Sequence, residues 1–176
     1  MSNLYPSPDL ITSWLSGEHF FLDFEASGLL GDSYPIEIGV YGCDGSRLDT
    51  LIKPVHYWTY WSHDAQDIHG IIRERLDDGM SAVDVAGQLN ERYQAKTLWA
   101  DSNMDSFWMS VLFEAADLDM QFKVGNLHHL LTEEQSTEFI KHIKRPVAHR
   151  AFQDAFDIRT AWFDYLKAAP MTETQA

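Results

Sequence analysis

One cysteine, Cys43, stands in a chain of 176 residues, so no intrachain disulfide can hold the fold together. A lone thiol suits a reducing compartment, and a cytoplasmic location is expected. Cys43 follows Gly42 and precedes the turn pair Asp44-Gly45, a setting for a chain reversal rather than for a nucleophile. Long apolar runs are missing as well. Nothing has the length of a membrane span, and Met1-Ser2-Asn3-Leu4-Tyr5-Pro6 has neither the charge nor the apolar stretch of a signal peptide. Basic residues are scarce: 13 Lys and Arg face 27 Asp and Glu, a net charge of −14. That balance argues against gripping long duplex DNA through counterion release. Repeats, low-complexity tracts and linkers are also lacking. With 45% hydrophobic and 23% charged residues the chain reads as one globular domain, 1–170, followed by a disordered tail, 171–176.

What is present is more pointed. Asp23 and Glu25 end the apolar run His19-Phe20-Phe21-Leu22. In a strand, residues two apart share a face, so both carboxylates point one way while Phe24 points into the opposite layer. Like charges side by side on a buried strand destabilise it unless a cation neutralises them, and paired carboxylates attract hard divalent ions. An isolated Asp-x-Glu is more often a strand end dipping into solvent. The second half of the pattern lies downstream. Between Ala151 and Leu166 the apolar residues recur at helical spacing, and Asp154 shares the core face with Ile158, Ala161 and Trp162. Arg145-Pro146 favours extended backbone just before, so this helix is expected to start around His149, leaving the imidazole over whatever Asp154 holds.

Together the ordered pieces resemble the DEDDh 3′-5′ exonucleases, a group that includes proofreading subunits, oligoribonuclease and ribonuclease T. Phe21-Leu22-Asp23-Phe24-Glu25-Ala26-Ser27-Gly28-Leu29 and His149-Arg150-Ala151-Phe152-Gln153-Asp154-Ala155 match the first and last motifs, and Ile68-His69-Gly70-Ile71 resembles the His-Gly-Ile stretch between. The resemblance implies a ribonuclease H-like α/β fold, a five-stranded mixed sheet flanked by helices. Strands near 19–25, 35–42, 47–53, 97–100 and 122–126 and helices near 82–93, 105–117, 132–142 and 150–167 agree with it, with Asp44-Gly45 as a hairpin turn. The middle acid is either Asp101 or Asp105. Family members carry it at the first turn of a helix, four residues after an Asn at a strand end, which makes Asp105 the ligand and puts Asp101 at the Asn position. Asp also fills helix N-caps well, and Asp101 is the better candidate for such a structural role.

The resemblance further implies two-ion hydrolysis of a phosphodiester at a 3′ end, with Mg²⁺ or Mn²⁺ held by Asp23, Glu25, Asp105 and Asp154. His149 would be the general base, since an imidazole titrates near neutrality. The expected substrates are single-stranded RNA or DNA or short oligonucleotides, RNA slightly favoured, cut to 5′-mononucleotides. Ala26, Ser27, Gly28 and Leu29 would line the terminal nucleotide's site, with His69 and Ile71 nearby. Ala26 stands where many members have Thr, which removes a hydroxyl from the terminal sugar's surroundings. The basic residues Lys141, Lys144, Arg145, Arg150 and Arg159 either line a cleft or terminate helices favourably. The aromatic stretch 57–61 offers Trp58 or Trp61 for base stacking, alongside core packing or a homodimer contact. A non-catalytic metal- and nucleic-acid-binding module is the alternative function.

Overall fold

The computed structural model describes residues 4–29, 31–143 and 149–170. The expected tail at 171–176 lies outside them, as do Lys144 and Arg145. In chain order the elements are α1 (Pro8–Ser16), β1 (Phe20–Ala26), β2 (Pro35–Gly42), β3 (Arg47–Lys53), α2 (His63–His69), β4 (Met80–Ser81), α3 (Ala82–Tyr93), β5 (Thr97–Ala100), α4 (Asn103–Ala116), β6 (Lys123–Asn126), α5 (Glu133–Ile140) and α6 (Ala151–Lys167). The strands form one sheet in the order β4-β3-β2-β1-β5-β6. Antiparallel pairing of β2 with both β1 and β3, and parallel pairing elsewhere, makes β2 the one strand running against the others. Five strands are those expected from the sequence. The sixth, β4, has two residues and is too short to leave a hydrophobic period.

Two hydrophobic layers sandwich the sheet. On one face Phe20, Leu22, Phe24 and Ala26 pack with Val85 and Leu89 of α3 and Met109 and Leu112 of α4. On the other, Phe21 packs with Trp14 of α1, Phe139 of α5 and Trp162 of α6. The alternation of β1 therefore runs through its acids: Phe24 belongs to the α4 layer, and Asp23 and Glu25 share the α6 side with Phe21. The β2–β3 turn closes at Gly45, whose φ of 84° is left-handed.

α1 and α2 were not expected from periodicity. Ser7 caps α1 by accepting from Leu10 N–H, Pro8 occupies its first turn, and burial of Trp14 anchors it. Ser62 caps α2, which ends at left-handed Gly70. Both helices are under ten residues, short enough for one or two apolar contacts to carry them and leave no repeating stripe. At α6 the helix begins at Ala151 rather than at His149.

Candidate active site

β1 carries Asp23 and Glu25 toward its carboxyl end, and the turn after its neighbour β5 brings in Asp101 and the start of α4. Ligands in open α/β sheets collect at such strand ends. Asp105 lies in the first turn of α4, 1% exposed, and its Oδ1 accepts from Phe24 N–H at 3.1 Å. Its Oδ2 is buried with no hydrogen-bond partner among the described residues.

α6 delivers the remaining groups, and Gly39 and Glu37 on β2 set its approach. Gly39 pairs with Asp23 across the sheet, and a Cβ there would lie 2.2 Å from the carbonyl carbon of Ala151. Only a glycine lets the helix start come this close. Glu37, opposite Glu25 and 1% exposed, accepts Ala151 N–H at 3.0 Å through Oε2. An N–H that the helix itself leaves unpaired is thus capped from the sheet. The same carboxylate accepts Arg150 Nε at 3.1 Å on each oxygen, and Arg150 Nη2 donates to Oε1 as well. Arg150 and Ala151 are therefore pinned, and His149 directly before them is held at φ 51°, in the left-handed region.

The outcome is two clusters of potential metal ligands. Donor atoms of Glu25, His149 and Asp154 lie within 4.8 Å of one another, and so do those of Asp23, Asp101 and Asp105. A pocket of about 220 Å³ is lined by Asp23, Glu25, Asp101, His149 and Asp154, among others. Crowding of acids shows in their proton affinities. Burial pushes the Asp23 carboxyl well up, reinforced by Asp105, Glu25, Asp101 and Asp154. Burial, then Asp154 and Glu37, raise Glu25 to about 8 against the opposing pull of Arg150. Burial and the charge of Asp101 hold Asp105 well up, with the Phe24 N–H pulling back. Asp101 is raised by burial, with His128 opposing. Such a set favours a bound cation over four free anions.

A second cavity of about 510 Å³ adjoins the first through Phe24, Glu25 and His149. Ala26, Gly28, Leu29 and His69 line it. Gly28 makes room for Tyr60, whose ring would sit 2.5 Å from a Cβ there. His69 Nδ1 accepts Ile71 N–H at 3.0 Å, which leaves Nε2 as the donor, buried and unpartnered among the described residues.

Three expected contacts lie elsewhere. Ser27 is fully buried, and its hydroxyl accepts Tyr34 N–H, fastening its own loop. Ile71 is 7% exposed and packs in the core. Trp61 does not line the cleft: its Nε1 donates to Gln66, its ring meets His69 edge-on, and Arg73 lies over it. Trp58 is buried and stacked on Tyr34. Within the stretch 57–61 the ring that lines the cleft is that of Tyr60. Alternation along a loop has no fixed period, so the sequence could not say which ring turned outward.

Nor does a basic cleft form from the described cations. Lys141 pairs with Glu138, Arg150 with Glu37, and Arg159 lies over the rings of Tyr41 and Phe163. Glu37 itself was missed. Its signal was a single acid inside Pro35-Ile36-Glu37-Ile38-Gly39, an otherwise apolar strand.

No described helix is long and apolar enough to cross a membrane. None of the curated proteins compared matches the chain significantly. A model of the exonuclease family named for ribonuclease T matches residues 20–162, from the first residue of β1 into α6, and so spans every acid of both clusters. With that span and this sheet, the chain belongs to the exonuclease family of the DEDD superfamily, nucleases of ribonuclease H-like fold.

Proposed function

We propose that this chain is a metal-dependent 3′-5′ exonuclease acting on single-stranded nucleic acid or short oligonucleotides, RNA slightly ahead of DNA, and releasing 5′-mononucleotides. The observation that carries the reading is the pair of ligand clusters joined through Asp23 and Glu25 of one strand, with His149 inside one of them. Mutually repelling buried carboxylates and the orphaned Oδ2 of Asp105 fit hard cations, Mg²⁺ or Mn²⁺. Asp23, Glu25 and Asp154 would hold one, and Asp23 and Asp105 a second. Bound there, such ions acidify water and neutralise the charge that builds on the phosphate.

The chain's own groups do the rest. His149 accepts the proton of the attacking water beside Glu25 and Asp154, and its backbone is fixed for that task by the grip of Glu37 on Arg150 and Ala151. The adjoining cleft receives the terminal nucleotide. Leu29 and Ile68 are 76% and 59% exposed and present apolar faces to a base, with Tyr60 beside them. Phe24 and Trp108 form part of its wall.

The test is a cleavage ladder. RNA and DNA oligonucleotides labelled at the 5′ end are incubated with Mg²⁺ or Mn²⁺, single-stranded and duplex in parallel. Labelled products that shorten stepwise from full length support the reading. Activity that survives excess chelator, a labelled mononucleotide as the first product, or initial cuts inside the strand would each sink it.

A further inference from the structure

Asp101 does not take the capping duty that its place before a helix offers. The N-cap of α4 is Ser102, whose hydroxyl accepts Met104 N–H at 3.0 Å. Asp101 lines the same pocket as Asp23 and Glu25, and its carboxylate lies within 4.8 Å of those of Asp23 and Asp105. Among the described residues no ion pair reaches any of these three acids. Three carboxylates from β1, the β5–α4 turn and α4 thus converge on one point beside the buried, unpartnered Oδ2 of Asp105. Loop acids without a role in folding are normally turned to water. This one is turned inward, onto two others.

We propose that Asp101 is a third carboxylate ligand of the cation held by Asp23 and Asp105, an inference that rests on the metal-dependent reading above. Its consequence is electrostatic. A divalent ion bound by one or two carboxylates relies on substrate phosphate oxygens to complete its charge balance and shell. Asp23 is shared between the two ions, so Asp23 and Asp105 alone leave the charge of the second ion partly unmet, and Asp101 supplies the missing charge and a further shell oxygen without substrate. The second site of this chain therefore fills before a nucleotide arrives, and an amide at position 101 would make it wait for one.

The experiment titrates Mn²⁺ alone into the substrate-free protein by calorimetry, for wild type, Asp101→Asn and Asp105→Asn, and melts each in chelator. Wild type should bind two ions. Asp101→Asn should weaken one of them by at least about tenfold, since even groups that only orient a metal ligand cost about 10–100-fold in affinity. In chelator Asp101→Asn should melt at or above the wild-type temperature, because it removes one of three repelling charges; a cap or turn residue would lower it. Two undiminished Mn²⁺ sites in Asp101→Asn, a single site in wild type, or a lowered melting temperature in chelator would overturn the inference. Loss of a site in Asp105→Asn with none in Asp101→Asn removes Asp101 and leaves the nuclease reading standing. A wild-type protein that takes up no Mn²⁺ removes both.

Discussion

Glu37 is buried in mid-sheet with both oxygens occupied by the start of α6, so its removal tests how the site is held rather than what reacts there. Glu37→Gln keeps the shape and one acceptor for Ala151 N–H but gives up the charge that grips Arg150. The Arg150 side chain is 55% exposed and its guanidinium regains water, which limits the loss to about 1–3 kcal/mol of stability, read from chemical denaturation. Single-turnover cleavage should fall further than that loss explains at temperatures where the variant is folded, because His149 is no longer held at φ 51°. A variant that is less stable but cleaves at wild-type rate would confine Glu37 to folding. His149→Ala is the complementary change. It should slow the chemical step by about 10²–10⁴-fold while Mn²⁺ affinity stays within a few-fold. Near wild-type cleavage, or outright loss of metal binding, would take the base role from His149. The two residues differ in how far the sequence announced them. His149 stands five before Asp154 in a recognisable motif, whereas Glu37 gains its meaning from a partner 113 positions away.

Among the elements, α4 against β1 builds one cluster of the site and the close approach of α6 to β2 builds the other. β1, β2, β3, β5 and α3 were legible because each carries an unbroken period or a turn signal, and α6 because Asp154 interrupts an otherwise apolar face. The approach distance of α6 was not, since a glycine in a strand announces a close neighbour without naming it. Gly39 supplies the test. Gly39→Ala would put a methyl 2.2 Å from the Ala151 carbonyl carbon, where backbone, not a flexible side chain, must give way. The helix start has to lift, carrying Asp154 and His149 away from Asp23 and Glu25. The expected result is a lower melting temperature and at least about a hundredfold loss of cleavage, in keeping with the cost of a misplacement near 1 Å. Gly87→Ala in α3 is the control: its added methyl meets nothing within 4 Å, and it should stabilise by about 0.5–1 kcal/mol with activity unchanged. Equal behaviour of the two variants would mean that the α6 contact does not set the geometry.

Over the whole molecule the net charge of −14 and the acids gathered in one pocket push in the same direction, and pH and salt separate them. Glu25 has an ordinary value of 4.5 and about 8 in the fold, so between these values the folded chain holds more protons than the unfolded one. Stability of the metal-free protein must then fall as pH rises through that window, from about pH 5 to about pH 8. Asp23, Asp101 and Asp105 are raised too and add to the same slope. Surface repulsion between the remaining acids also grows with pH, but about 1 M salt shortens its range to roughly 3 Å, while charges packed in the pocket stay in contact. The melting temperature in chelator and high salt should therefore still drop from about pH 5 to about pH 8. Mg²⁺ should reverse the trend, because ions and protons compete for the same oxygens and the ion wins where protons are scarce. Its stabilisation should be small near pH 5 and largest near pH 8. A metal-free melting temperature that rises with pH in high salt, or an Mg²⁺ effect that is equal at both ends, would show that the four carboxylates do not act as one buried, cation-seeking cluster.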